Sequence, residues 1–170
     1  SYPLGDVDRD GRADIAVADV GDGSSRPGTV WIQSPISPTP LLRIPDPRSD
    51  PNGEFGRALE NVGDLNADGH ADLAVGNPGF GNDVGRVWIY SGSNLRVPST
   101  LLVIDPGTPA PVRFGTSIAL VGDVNNNGVR DLAVGGPGAR SVYIVDGGSG
   151  QLLYSIAGGE QSFGSVLYFQ

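Results

Sequence analysis

Short apolar runs recur along the chain, and glycine, proline, asparagine, aspartate and serine fill the stretches between them. Runs of this kind, rich in valine, isoleucine, leucine and aromatic residues and bounded by turn formers, are typical of β-strands. No long helical period is present, and 27 glycines and 14 prolines in 170 residues disfavour helix almost everywhere. The pattern therefore predicts an all-β chain.

The runs return in the same order three times, after Gly-Asp pairs whose glycines, Gly5, Gly63 and Gly122, are 58 and 59 residues apart. A first run is followed by a second that contains an aromatic residue and then by a third. The first runs are residues 15–17, 73–75 and 132–134, the second are 30–32, 87–89 and 142–144, and the third are 41–44, 101–104 and 152–156.

A repeat of this length with about four short strands has the size of one β-propeller blade, which must stack on neighbouring blades to bury its faces. We predict three blades of four-stranded antiparallel sheet at about 1–54, 55–113 and 114–162, with 163–166 opening a further repeat. Closed propellers have four to eight blades. Three blades imply a partial propeller, as a fragment of a longer ring, or chains that associate into a homo-oligomer completing the ring. Residues 167–170 resemble the end of a protease recognition tag, and we expect them to be an expression remnant.

A shared nine-residue pattern follows the glycine of each Gly-Asp pair, in loop one (6–14), loop two (64–72) and loop three (123–131). Asp or Asn stands at loop positions 1, 3, 5 and 9, and Gly stands at position 6. Calcium prefers six to eight oxygen ligands, which alternate side chains and one backbone carbonyl at position 7 of a tight turn can supply. The pattern predicts about three Ca²⁺ ions per chain, bound by Asp6, Asp8, Asp10, Arg12, Asp14, Asp64, Asn66, Asp68, His70, Asp72, Asp123, Asn125, Asn127, Val129 and Asp131.

Two other interpretations of the loops stay open at this point. Asp, Asn and Gly are good turn residues, so the loops could be metal-free turns. An EF-hand or dockerin loop starts similarly, but it has a bidentate acid at position 12 and continues into a helix. Position 12 is Val17, Val75 or Val134, each inside an apolar run of β type, which disfavours that alternative. The loops hold four, three and two carboxylates, so we predict calcium affinity in the order first, second, third.

The landmarks around the loops resemble a known family. Phe55-Gly56 and Phe114-Gly115 precede loops two and three, and Leu-Ala-Val-Gly and Gly-x-Pro-Gly follow them. This order is similar to the FG-GAP repeat, the blade unit of integrin α-subunit β-propellers and of many bacterial surface and secreted proteins. Repeat one departs from it, with residues 18–21 in place of Gly-x-Pro-Gly. The resemblance implies that each loop joins the first two strands of a blade and binds calcium.

The composition excludes several classes of function. With 19 acidic and 11 basic residues, a net charge of -8 and no lysine, the chain offers no electrostatic surface for nucleic acid. It has no cysteine, His70 is its one histidine, and it lacks a Gly-x-Ser-x-Gly motif. No apolar run has the length of a membrane span. We therefore expect a protein that is not an enzyme, binds no nucleic acid and does not insert into a membrane.

The sequence leaves the binding partner open. Trp31, Trp88 and Tyr143 occupy the same place in successive repeats, and we interpret them as blade-packing residues rather than as a platform for sugars. The expected function is a calcium-stabilised scaffold of a secreted or cell-surface protein, bacterial in origin, that mediates adhesion or binds an unknown protein or glycan. The alternatives are a non-catalytic appendage of a secreted hydrolase and a lectin-like propeller.

Overall fold

The computed structural model describes residues 2–22, 25–93, 97–108, 110, 112–160 and 162–167. Residues 168–170 of the expected tag remnant lie outside this part of the chain. The fold consists of three four-stranded sheets, and in each sheet the strands pair in chain order with antiparallel neighbours. The all-β prediction is confirmed, and the sheets are here called blades 1, 2 and 3.

The apolar runs of the sequence form the second, third and fourth strands of the blades. Blade 1 contains β1 (Tyr2–Gly5), β2 (Asp14–Asp19), β3 (Thr29–Gln33) and β4 (Leu42–Pro45). Blade 2 contains β5 (Leu59–Gly63), β6 (Asp72–Asn77), β7 (Arg86–Tyr90) and β8 (Thr100–Ile104), and blade 3 contains β9 (Ile118–Leu120), β10 (Leu132–Gly136), β11 (Ser141–Val145) and β12 (Leu152–Ala157). A short helical segment, α1 (Phe80–Asp83), and a 3-10 turn (Pro137–Ala139) lie between the second and third strands of blades 2 and 3.

The three blades share one strand register. In each blade, a valine of the second strand pairs with the aromatic residue of the third strand. The valine that precedes this aromatic residue pairs with an isoleucine of the fourth strand. These pairs are Val17 with Trp31, Val75 with Trp88, Val134 with Tyr143, Val30 with Ile44, Val87 with Ile104, and Val142 with Ile156. Residues in different blades can therefore be compared position by position.

The core lies between the blades. Phe55 and Phe114 are 0% and 1% exposed. Phe55 packs edge to face on Trp88, with ring centroids 5.9 Å apart, and Phe114 packs in the same way on Tyr143, at 5.4 Å. Burial of one aromatic side chain contributes on the order of 1.5–3 kcal/mol to stability. The interpretation of Trp88 and Tyr143 as packing residues is confirmed, whereas Trp31 is half-buried.

Glycine is required where successive blades meet. Gly115 has a φ of +89°, and its carbonyl oxygen would lie 2.1 Å from a Cβ placed on Gly76 of the preceding blade. The carbonyl of Gly164 would lie 1.8 Å from a Cβ on Gly135. No side chain fits at either point. The Phe163-Gly164 pair therefore rests on blade 3 as Phe114-Gly115 rests on blade 2.

The first strands of the blades lie side by side around a common axis, β1 beside β5 and β5 beside β9. Asn61 Nδ2 donates to the Leu4 carbonyl at 2.9 Å, and the Leu120 N–H donates to Glu60 Oε1 at 3.3 Å. These bonds link each first strand to the first strand of the next blade. The three loops that follow the first strands lie at the same end of these neighbouring strands.

The outward faces of blades 1 and 3 are open in the described part of the chain. Ile44 and Ile104 are each 1% exposed, because the next blade covers them, but Ile156 at the same register position is 46% exposed. On the opposite side, Leu73 of blade 2 is 3% exposed and its counterpart Ile15 of blade 1 is 37% exposed. Both open faces thus present side chains of the type that is buried between blades.

Candidate metal loops

Each Asp/Asn loop connects the first strand of its blade to the second. The glycines at position 6, namely Gly11, Gly69 and Gly128, have φ values of +90°, +84° and +88°, where glycine avoids the steric cost that other residues meet. The residues at position 4, which are Arg9, Ala67 and Asn126, also have positive φ, from 58° to 64°. Each loop therefore has two left-handed residues, and only the glycine was evident in the sequence.

The side chains at positions 1, 3 and 5 turn back onto the loop backbone. In loop one, Asp6 accepts the N–H groups of Asp10 at 3.0 Å and Gly11 at 2.8 Å. Asp8 accepts the Asp10 N–H at 3.0 Å, and Asp10 accepts the Arg12 N–H at 2.9 Å. The same four bonds recur in loops two and three, with distances of 2.7 to 3.1 Å. The side-chain oxygens are thereby gathered inside each loop.

The aspartates at position 9 are the deepest members of the loops. Asp14, Asp72 and Asp131 are all 0% exposed. One oxygen of each accepts the N–H of the residue at position 2, at 2.9, 2.9 and 2.8 Å. Burial raises the pKa of Asp14 and Asp72, and the backbone hydrogen bond lowers it in part.

The second oxygen of this aspartate separates loop one from the other two. Asp72 and Asp131 each accept a further N–H at 3.1 Å, from Gly92 and Gly147 respectively. The corresponding residue of blade 1 is Pro35, which has no N–H to donate. Asp14 Oδ1 is accordingly buried without a hydrogen-bond partner.

The donor set of loop one fits a hard divalent cation. Asp6, Asp8 and Asp14 bring carboxylate oxygens within 4.8 Å of one another. Asp10 lies outside that group, and its Oδ2 accepts a long hydrogen bond from Ser34 at 3.4 Å. A buried carboxylate oxygen without a partner is costly, and a bound cation would satisfy it. Oxygen ligands of this kind suit Ca²⁺.

Loops two and three bring together fewer carboxylates. Loop two contains Asn66 at position 3, whose amide donates to Asp68 at 2.8 Å. Loop three has amides at both positions 3 and 5. In every blade the residue just past the third strand approaches position 5 of the loop. These residues are Ser34, Ser91 and Asp146, and none of them was predicted from the sequence. Their sequence signal is constant spacing, since each stands two residues after the isoleucine of its second apolar run.

Loops one and two touch each other. Arg9 Nη2 lies 2.9 Å from His70 Nε2, so the position 4 side chain of one loop meets the position 7 side chain of the next. His70 otherwise contributes its backbone N–H to Asp68 at 2.9 Å. The single histidine therefore lies within the loop network.

Comparison with known proteins agrees with the fold. Three meander sheets, stacked through Phe-Gly junctions and carrying Asp/Asn loops at one end, define a segment of FG-GAP β-propeller. Residues 55–90 and 114–154 match the FG-GAP repeat family. The chain is thus an FG-GAP repeat protein that resembles the propeller of integrin α subunits. Blade 1 has the same strand order although it lies outside the matched residues.

The similar proteins fall into two groups. The chain is 39% identical over 110 residues to Integrin alpha-PS5 of Drosophila melanogaster, covering 61% of this chain and 10% of the integrin. It is 40% identical over 135 residues to Phosphatidylinositol-glycan-specific phospholipase D of Rattus norvegicus, covering 70% of this chain and 15% of the phospholipase. Against Integrin alpha-3 of Mus musculus it is 40% identical over 108 residues, with 58% and 10% covered. The chain therefore corresponds to a small part of each of these proteins.

Proposed function

We propose that the chain is a calcium-stabilised propeller scaffold of an extracellular or cell-surface protein, and that it mediates adhesion or binds a protein or glycan. The observation that carries the proposal is the loop geometry, which repeats three times and in loop one includes a buried, unpartnered carboxylate oxygen. The similarity to integrin α subunits supports the adhesion part. A bacterial origin, expected from the sequence, stays a prediction.

Calcium stabilises the fold because the loops gather their ligands only when the blades are folded. A site at a hundredfold excess of metal over its dissociation constant stabilises the folded state by about 2.7 kcal/mol. Extracellular modules bind calcium with dissociation constants of about 10⁻⁴–10⁻³ M, which suits a location outside the cell. The part of the chain that the structure describes has no helix with the length and apolar character needed to cross a membrane.

A calcium titration of chelator-treated protein by calorimetry tests the proposal, together with thermal melts with and without the metal. We expect heat for about three ions per chain and a higher melting temperature with calcium. Magnesium is the control, because it demands a smaller octahedral site and dehydrates reluctantly. Absence of both heat and stabilisation would establish the loops as metal-free turns.

We further propose that this segment does not catalyse a reaction. Its clustered carboxylates accept backbone N–H bonds within the loops, and a metal-bound carboxylate is a poor general acid. A role as the non-catalytic appendage of a secreted hydrolase is the second candidate, and the similarity to the phospholipases D favours it. Binding of an immobilised glycan or matrix protein by this segment alone would favour adhesion. Failure to bind either, with hydrolase activity in the longer protein, would favour the appendage.

The partner in solution that the fold itself suggests is a second copy of the chain. Blade 3 leaves Tyr154 and Ile156 half exposed, and blade 1 leaves Ile15 and Trp31 without a covering blade among the described residues. The open face of blade 3 is equivalent to the faces of blades 1 and 2 that pack on the following blade. The open face of blade 1 is equivalent to the faces of blades 2 and 3 that pack on the preceding blade. We propose head-to-tail association, in which blade 3 of one copy stacks on blade 1 of another.

A further inference from the structure

One position beside the loops carries different chemistry in the third blade. Ser34, Ser91 and Asp146 each stand one residue past the end of the third strand. Ser91 Oγ donates to Asp68 Oδ2 at 3.1 Å, so in blade 2 a hydroxyl meets the loop carboxylate at position 5. In blade 3 the loop residue at position 5 is Asn127, and Asp146 supplies the carboxylate.

The acid and its hydrogen-bond donor have therefore exchanged places between blades 2 and 3. Asn127 Nδ2 donates to Asp146 Oδ2, and Asn125 Nδ2 donates to the same oxygen at 2.5 Å. Asp146 is 5% exposed, and its Oδ1 accepts the N–H of Ser149 at 2.5 Å and its hydroxyl at 2.6 Å. The carboxylate is thus held from one side by a turn and offers its other oxygen to both amides of loop three.

We propose that Asp146 is the positioning residue of the third metal loop. By accepting both amide nitrogens it leaves the Oδ1 atoms of Asn125 and Asn127 directed into the loop, where they accept the N–H groups at positions 5 and 7 at 3.1 and 2.8 Å. An amide that rotated by half a turn would place its NH₂ group against the cation. Asp146 also adds a negative charge beside a loop that holds only two carboxylates of its own.

This inference rests on the proposed calcium function and adds Asp146 to the residues that determine calcium binding at loop three. It changes the expected order of affinities, because loop three then has three carboxylates at or beside it, as many as loop two has within it. We expect loop one to bind most tightly and loops two and three to bind about equally. The order predicted from the sequence separated those two loops.

The test uses the full chain and follows each loop through its position 6 glycine. The backbone amide signals of Gly128 and Gly69 report loops three and two in one NMR titration with calcium. Replacing a hydrogen-bond partner of a metal ligand typically lowers metal affinity 10–100-fold. We therefore expect Asp146→Ser to weaken the Gly128 transition by at least about tenfold and to leave the Gly69 transition unchanged.

A second variant places the carboxylate at position 5 of loop three and the hydroxyl at the strand end, as in blade 2. Asp146→Ser combined with Asn127→Asp gives loop three the residues that loop two has at positions 3 and 5 and at the strand end. We expect this double variant to bind calcium at loop three within a few-fold of the parent chain. Ser91→Ala is the matched comparison in blade 2, because it removes one neutral donor to Asp68. It should weaken the Gly69 transition less than Asp146→Ser weakens the Gly128 transition.

The possible failures are distinguishable. Absence of calcium shifts at all three position 6 glycines in the parent chain would refute the calcium function. The orientation role is then judged from the side-chain NH₂ signals of Asn125 and Asn127 in chelator. These signals should lose exchange protection in Asp146→Ser, which lacks the carboxylate oxygen that accepts both amides. An unchanged Gly128 transition in a folded Asp146→Ser variant, or no recovery in the double variant, would overturn the positioning role.

Discussion

At the scale of single residues, Asp14 differs from its counterparts in the other two blades. Its carboxylate is fully buried, one oxygen has no partner, and Pro35 stands where the other two blades have a glycine N–H. Burial raises its pKa, and the charges of Asp8 and Asp10 raise it further. Asp72 occupies the same position in blade 2 with both oxygens bonded. The two aspartates therefore form a matched pair for mutation.

We predict that Asp14→Asn and Asp72→Asn have different effects in chelator. The Asp14→Asn variant loses a buried charge, and its new amide meets no opposing donor at the Oδ1 side, so stability is unchanged or higher. In the Asp72→Asn variant the new NH₂ group must face one of two backbone donors, which costs about 1–3 kcal/mol. In calcium both variants should lose the stabilisation by metal at their own loop. Urea melts in the two conditions measure this, and equal losses for both variants in chelator would contradict the role given to Pro35.

The pH dependence of the Asp14 comparison follows from the direction of its pKa. A carboxyl whose pKa is raised in the folded state binds its proton more tightly there, so it favours folding at low pH and loses that contribution as the pH rises through the folded pKa. In chelator, the stability of Asp14→Asn relative to the parent should therefore fall as the pH decreases from neutral towards the ordinary carboxyl value of 3.8. Melts of both proteins across that range test it. An advantage that grows on acidification would be inconsistent with a buried, ionised Asp14.

At the scale of elements, the Phe-Gly junctions join the blades. Phe114 fills the space between blades 2 and 3, and Gly115 brings its backbone against Gly76. Glu54 and Arg113 precede the two Phe-Gly pairs, both with positive φ, and their side chains form an ion pair at 2.6 Å. Arg113 also contacts Asp83 at 2.5 Å. Half-exposed ion pairs of this kind contribute little to stability. The junction is therefore stabilised mainly by the packing of the aromatic residues and the glycines.

We predict that Gly76→Ala destabilises the chain by about 1–3 kcal/mol or more, because overpacking forces backbone to move. Its Cβ would lie 2.1 Å from the Gly115 carbonyl oxygen, which is backbone and cannot swing away. Gly159→Ala is the control, since a Cβ there meets nothing within 4 Å and the residue has no positive φ. Denaturant melts compare the two. Equal stability of the two variants would show that the blades can separate at this junction without loss.

Most of the strands could be predicted from the sequence, because the same pattern occurs three times and each repeat can be compared with the other two. Three of the four strands of each blade came from apolar runs, and the loop positions came from regular Asp/Asn spacing. The first strands gave no apolar run, because β1 and β5 interrupt their apolar residues with proline, glycine or polar residues and β9 has only three residues. The roles of Pro35 and Asp146 could not be predicted, because they depend on which strand end meets which loop in space.

At the scale of the whole molecule, the outward faces of blades 1 and 3 have no covering blade among the described residues. On blade 3, Tyr154 and Ile156 are 47% and 46% exposed, although the residues at the corresponding positions of blades 1 and 2 lie between blades. A contiguous apolar face of this kind favours association. Because the faces of blades 1 and 3 differ, contact between them is head to tail, and it forms a closed ring only if the rotation between copies allows it.

We predict that Ile156→Asp reduces association of the chain in calcium. A charge placed on the blade 3 face would have to be buried without a partner on stacking, which is strongly unfavourable. Sedimentation velocity over a concentration series measures the effect. Ile36→Asp is the control, because Ile36 is 60% exposed and lies in the loop between β3 and β4, outside the strands that stack. If the parent is monomeric at every concentration, or if both variants associate as the parent does, blade 3 does not stack on a second copy. Loss of association in Ile156→Asp alone, with an unchanged melting temperature, would identify the blade 3 face as the contact and leave the fold of each chain independent of it.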